Sequence, residues 1–141
     1  MLVAVDESPA IDFVLRHVIH QATSDGSRLT LLMVIPRVPA MVTLTGTPRE
    51  RLLAELETFG QQRLRELAAS IPECVSVTTL LRHGKPHEVL LRTASELNAD
   101  LICLGARSRA PLIVRALFGS VSAAVMRRST VPVLILGPSR A

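Results

Sequence analysis

Residues 100–136 read DLICLGARSRAPLIVRALFGSVSAAVMRRSTVPVLIL, and their order decides the fold. An apolar run, DLICLG, ends on Gly105. A loop follows, and the pair Gly119-Ser120 opens a helical pattern that continues to Arg128. A second apolar run, VPVLIL, closes at Leu136. Strand, loop, helix and strand in this order make a parallel crossover. A glycine at the end of a strand and a Gly-Ser pair at a helix start also suit a loop that wraps phosphates. Free backbone N–H groups and the helix dipole at such a start favour an anion.

The same alternation runs through the rest of the chain. MLVAV is a short apolar strand. Ser8 is expected as the N-cap of the first helix, with Pro9 at its first position. Ile11, Val14, Leu15, Val18 and Ala22 follow at helical spacing, and Asp25-Gly26 stops the helix. LTLLMVI, Leu29 to Ile35, is the second strand. Pro36 to Pro48 is a loop with three prolines, long enough to cover something. Leu53, Leu56, Gly60, Leu64 and Leu67 then mark one stripe of a long helix whose other faces are charged. VSVTTLL, Val75 to Leu81, is expected as the third strand, and Pro86 opens a helix bearing Leu90, Ala94 and Leu97. The strands are continuous apolar runs, as strands buried on both faces should be. The expected architecture is a three-layer α/β sandwich with five parallel strands, in one domain over residues 1–141.

Composition narrows the function. Of 141 residues, 48% are apolar, which argues against disorder. No apolar run approaches the roughly 18 residues of a membrane span, and the N-terminus reads as a strand rather than a signal peptide. Cys74 and Cys103 lie 29 residues apart, which suits neither a metal site nor a disulfide framework. Cys103 is expected in the core, and reduced thiols point to the cytoplasm. The net charge is +4, with 15 arginines and the single lysine Lys85. These basic residues are scattered, apart from Arg107, Arg109 and Arg115 near the loop, and read as a codon bias. With no Trp, no Tyr and three Phe, stacking on nucleic acid is not expected.

Ligands of open α/β sheets bind beyond the carboxyl ends of the strands, where the strand order reverses. Asp6 follows the first strand, Val34 and Ile35 end the second, and Gly105 ends the fourth. If the first and fourth strands are neighbours, Asp6 and Gly105 face each other across one crevice. Ser120 can add a hydroxyl there. Pro132 cannot donate a ladder hydrogen bond, so it belongs at a sheet edge or a strand start. The wholly apolar residues of the last strand, Val133 to Leu136, are expected to pair with their own copy in a homodimer, the alternative being cover by the C-terminal tail.

Four segments carry a family resemblance: LVAVDESPA, LLMVIP, HGKPHEVLLRTASELNADLICLGARS and GSVSAAVMRRSTVPVLIL. Together they resemble the universal stress protein family over nearly the whole chain. The resemblance implies an adenine-nucleotide alpha-hydrolase-like (Rossmann-like) fold with strand order 3-2-1-4-5. It also implies a division between members that bind ATP and members that do not. The binders carry glycine, two residues, glycine, nine residues, then Gly-Ser or Gly-Thr. Gly105 matches the first glycine, Ser108 replaces the second, ten residues (109–118) stand in place of nine, and Gly119-Ser120 match the end. Asp6 matches the position that contacts the nucleoside, and Val34 the one whose backbone reads the adenine. Ala4, Leu104 and Val121 match lesser contacts, and Ser120 is also a phosphorylation candidate.

The departures have physical costs. Serine in left-handed geometry costs about 1–2 kcal/mol, although its hydroxyl can bond a phosphate oxygen. Pro111 removes an N–H donor. Arg107 and Arg109 can supply charge for a triphosphate. Asp6 can assist Mg²⁺ or a nucleoside hydroxyl, the alternative being an Asp that caps the turn into the first helix through Ser8 and its neighbours.

Other chemistries are poorly served. His17 and His20 are three apart on a helix but have no evident third metal ligand, and His83 and His87 are read as loop histidines. GARSRA lacks the Gly-x-Ser-x-Gly spacing of a nucleophile elbow. VDESPA has no glycine for a dinucleotide pyrophosphate. No enzyme activity is expected. Two readings remain: an ATP-binding regulatory dimer, or a stress-response dimer that binds no ATP and acts through protein contacts.

Overall fold

The computed structural model describes residues 1–37, 48–106 and 121–137. The strands are β1 (Leu2–Val5), β2 (Leu29–Ile35), β3 (Val77–His83), β4 (Ile102–Gly105) and β5 (Val133–Leu136). Between them lie α1 (Ala10–Asp25), α2 (Arg49–Ala69), α3 (Pro86–Glu96) and a helical stretch over 121–128, here α4. All five strands are parallel, in the order β3-β2-β1-β4-β5, as expected.

Strand pleating sends alternate side chains to opposite layers. Val3, Val5, Leu31, Met33 and Cys103 join α1 and α2 through Val14, Val18, Leu64 and Leu67. Leu2, Leu32, Ile102 and Leu104 join α3 and α4 through Val89, Leu90 and Val125. Both faces of the sheet are therefore covered, which is why its central strands are apolar throughout. Gly60 lets α2 sit close: a Cβ there would lie 2.8 Å from Leu81 Cδ1 and 3.3 Å from Met33 Sδ. Gly26 ends α1 at φ 73, with its N–H donated to the Ala22 carbonyl.

Several details differ from the sequence reading. Ser8 is not the N-cap of α1: the cap position is Pro9, the helix begins at Ala10, and no side chain caps it. The Ser8 hydroxyl turns back to Asp6 instead. β3 begins two residues later than expected, because Val75 is held in a turn through its N–H to the Pro72 carbonyl. Val75 is buried all the same. Leu97 lies beyond the last turn of α3 and is 44% exposed. His83 ends β3 and pairs with Glu57 of α2 at 3.0 Å, and His87 is the second residue of α3, so neither is a loop histidine. His17 and His20 are exposed, and no group of three metal-ligating side chains occurs among the described residues. Most of the Pro36–Pro48 loop lies outside the described residues, as does the tail beyond Gly137.

The cysteines differ in a measurable way. Cys74 is exposed, whereas Cys103 is fully buried, and burial pushes its thiol up to about 11. The thiolate is the reactive form. In the native protein at pH 8 a disulfide reagent should therefore titrate one thiol rapidly, and a second only in denaturant. Rapid release of two equivalents from the folded protein would contradict the burial. The sign of the pH effect follows. Above a normal thiol pKa of 9.0 the unfolded chain loses a proton that the folded chain keeps, so this contribution to stability fades as pH rises through about 11.

Candidate functional site

The decisive geometry is at the carboxyl ends of the central strands. β1 pairs with β2 through to Val5↔Met33, and β4 pairs with β5 through to Gly105↔Leu136. The ladder between β1 and β4 stops earlier, at Val3↔Cys103. Ala4 and Val5 on one side, and Leu104 and Gly105 on the other, continue without pairing to each other. The sheet is thus split at its centre, where the strand order reverses. Such a split is the usual ligand crevice of an open α/β sheet.

Asp6 stands at one lip, half-buried, immediately after β1. Its Oδ1 accepts the Ser8 amide N–H at 3.0 Å and the Ser8 hydroxyl at 2.7 Å. This closes a tight turn that leads the chain from β1 into α1. Gly105 stands at the other lip. A Cβ on it would lie 2.9 Å from Ala10 Cβ and 3.8 Å from Val14 Cγ2. The missing side chain lets the first turn of α1 seat against the end of β4. Past Gly105, Ala106 keeps its N–H on the Leu136 carbonyl at 2.6 Å, so the chain leaves the crevice along β5.

Four further expected residues converge on one face. Ala4, Val34, Leu104 and Val121 all belong to the apolar layer formed with α3 and α4. Leu104 is buried, while Ala4, Val34 and Val121 are half-buried. Three neighbouring strands and a helix thus supply one small-to-medium apolar wall below the lips. Ser108, Gly119 and Ser120 lie outside the described residues, as do Arg107, Arg109, Pro111 and Arg115.

Two contributions to this region escaped the sequence reading. Ala10 must be small because Gly105 sits on it. Arg82 is register partner of Val34 on β3, and its guanidinium is held by Thr93 Oγ1 at 3.0 Å and by the Glu96 carboxylate. Thr93 is fully buried, so Arg82 satisfies its hydroxyl and ties edge strand β3 to α3. No periodicity marks such a bond between a strand and a helix.

The sequence comparison agrees with this arrangement. The model of the universal stress protein family matches residues 1–137. The chain belongs to that family. Universal stress protein G of Salmonella typhimurium is 28% identical over 144 aligned positions, covering 96% of this chain and 95% of the relative. A universal stress protein solved in complex with cAMP superposes with a TM-score of 0.73 at 21% identity, over 98% of this chain and 96% of that one. Another, from Archaeoglobus fulgidus in complex with dAMP, gives 0.66 at 23% identity, over 96% and 94%. At these identities the two structures establish a shared universal stress protein fold. No described helix of this family member is long and apolar enough to cross a membrane.

Proposed function

We propose that this universal stress protein binds an adenine nucleotide, ATP in the first instance, in the crevice between the carboxyl ends of β1 and β4. It then acts in the cytoplasm as a regulatory homodimer rather than as an enzyme. The early end of the β1–β4 ladder, with Asp6 on one lip and Gly105 on the other, is the observation that carries this reading. Two universal stress proteins of the same fold were solved with cAMP and with dAMP, which supports an adenine nucleotide as the ligand class. In this reading Asp6 accepts a nucleoside hydroxyl, the Val34 backbone meets the adenine, and Ala4, Leu104 and Val121 line the apolar floor. Gly105, Ser108, Gly119 and Ser120 belong to the phosphate loop. Mg²⁺ keeps much of its coordination in water and phosphate oxygens. In this reading the ion enters with the phosphates, near Asp6.

The homodimer rests on the contrast between the two sheet edges. β5 presents Val133, Leu134, Ile135 and Leu136, all half-buried in the single chain. β3 presents exposed Thr78, Thr79 and His83. Of the two edges, only β5 is apolar at every position, and a second copy would cover it.

The competing reading, a dimer that binds no ATP, draws on Ser108 and on the ten residues over 109–118. Calorimetric titration with ATP, ADP, AMP and cyclic AMP, with and without Mg²⁺, separates the two. Saturable heat is expected for ATP, and Asp6→Ala should weaken it about tenfold or more, because a hydrogen bond to a charged group is worth roughly 1.5–3 kcal/mol. No heat from a folded sample at millimolar ligand would leave the protein-contact reading standing.

A further inference from the structure

The hydroxyl of Ser8 turns away from the helix that it precedes. Directly before a helix, serine usually caps the free N–H groups of the first turn. Here α1 has no side-chain cap, and the Ser8 hydroxyl donates to Asp6 Oδ1 at 2.7 Å. The Ser8 amide donates to the same oxygen at 3.0 Å. Two donors from one residue, both on one carboxylate oxygen, fix the plane of that carboxylate. Both residues are half-buried at the lip of the crevice, where Asp6 leaves β1.

We propose that Ser8 is a positioning residue that holds the Asp6 carboxylate ready to accept a hydroxyl of the nucleoside sugar. The inference rests on the nucleotide reading above and assigns Ser8 no contact with the ligand. A carboxylate already held does not have to be ordered when the ligand arrives. Ordering one side chain at an interface costs enough to change affinity about 3- to 10-fold. The effect should therefore be confined to ligands that carry the hydroxyl, and should vanish when Asp6 is removed.

The experiment is a titration of ATP and of 2′,3′-dideoxy-ATP into the parent chain and into Ser8→Ala, Ser8→Thr, Asp6→Ala and the double variant. Thermal unfolding of each is followed by circular dichroism. Ser8→Ala is expected to bind ATP about 3- to 10-fold more weakly, with dideoxy-ATP unchanged. Ser8→Thr keeps the hydroxyl and should match the parent. In the Asp6→Ala background, Ser8→Ala should cost nothing further, which is the signature of a residue acting through another. Equal weakening of both nucleotides, or the same loss with and without Asp6, would overturn the inference and return Ser8 to a purely structural role. If Ser8→Ala unfolds, the Ser8→Thr result decides: a threonine variant that folds but loses selectivity for the hydroxyl also overturns it. Failure of the parent to bind either nucleotide would remove the nucleotide reading itself, and this inference with it. Binding by the parent with no change in Ser8→Ala removes the inference alone.

Discussion

Gly105→Val is expected to destabilise the fold by about 1–3 kcal/mol and to weaken nucleotide binding at least tenfold. The cause is steric. Even one carbon at this position would lie 2.9 Å from Ala10 Cβ, closer than side-chain carbons settle. Valine adds two methyl groups in the direction of Val14, whose Cγ2 is 3.8 Å from that carbon. Ala10 and Val14 are both buried, so neither can swing out of the way. The first turn of α1 must lift from β4. The short Asp6–Pro9 connection is attached to that turn and moves with it, so the lip at Asp6 is displaced as well. Urea unfolding reads the first effect and calorimetry the second. The contact also predicts coupling. Ala10→Gly should cost about 1 kcal/mol alone, yet recover part of the loss when combined with Gly105→Ala. A valine variant with the parent's unfolding midpoint would contradict the seating of α1 on β4.

Ile135→Pro is expected to turn the proposed homodimer into a monomer while leaving the sheet of each copy intact. The carbonyls of Pro132 and Leu136 accept from Ile102, the first residue of β4, and from Ala106, the residue after it ends, at 3.0 and 2.6 Å. The alternate residues Val133 and Ile135 therefore direct their backbone N–H and C=O away from β4, to the open edge. Proline at 135 removes an outward donor and spares the ladder to β4. In a two-fold pair each change counts twice. A lost hydrogen bond and its orphaned partner together give roughly 2–4 kcal/mol for the pair, or about 30- to 1,000-fold in dissociation constant. Sedimentation velocity across a concentration series reads this directly. A proline variant that still sediments as a dimer would show that the copies do not pair through β5.

The strands were legible for a simple reason, while their order came from the family resemblance. A strand buried on both faces must be apolar at every position, and LVAV, LTLLMVI, ICLG and VLIL are nearly so. β3 was harder because it is an edge. Its exposed Thr78, Thr79 and His83 and its half-buried Arg82 look like loop residues, while Val75, outside the strand, is buried and looks like part of it. Leu97 continued the apolar stripe of α3 by spacing, but the helix ends at Glu96 and Asn98 turns at φ 48. At the candidate site Asp6, Val34 and Gly105 were readable from strand ends, whereas Ala4, Leu104 and Val121 came from the family resemblance. Most of the bonds were not readable. Ser8 was a reasonable helix cap on sequence grounds, but its hydroxyl is spent on Asp6, in the turn that was the alternative reading of that aspartate. The small size of Ala10, and the links His83–Glu57 and Arg82–Thr93, depend on packing between elements and leave no repeating mark in the chain.

The unlike edges of the sheet bear on how far self-assembly can go. One edge, β5, is apolar at all four positions, and the other, β3, interrupts its valine and leucines with two threonines, an arginine and a histidine. A molecule adhesive at both edges would accept a neighbour at each and grow into a filament. A molecule adhesive at one edge uses that edge up in its first encounter. Under the proposed pairing the joined sheet would run from one β3 to the other, and both of its outer margins would carry exposed Thr78, Thr79 and His83. Growth then halts at two copies without any cap or partner to stop it.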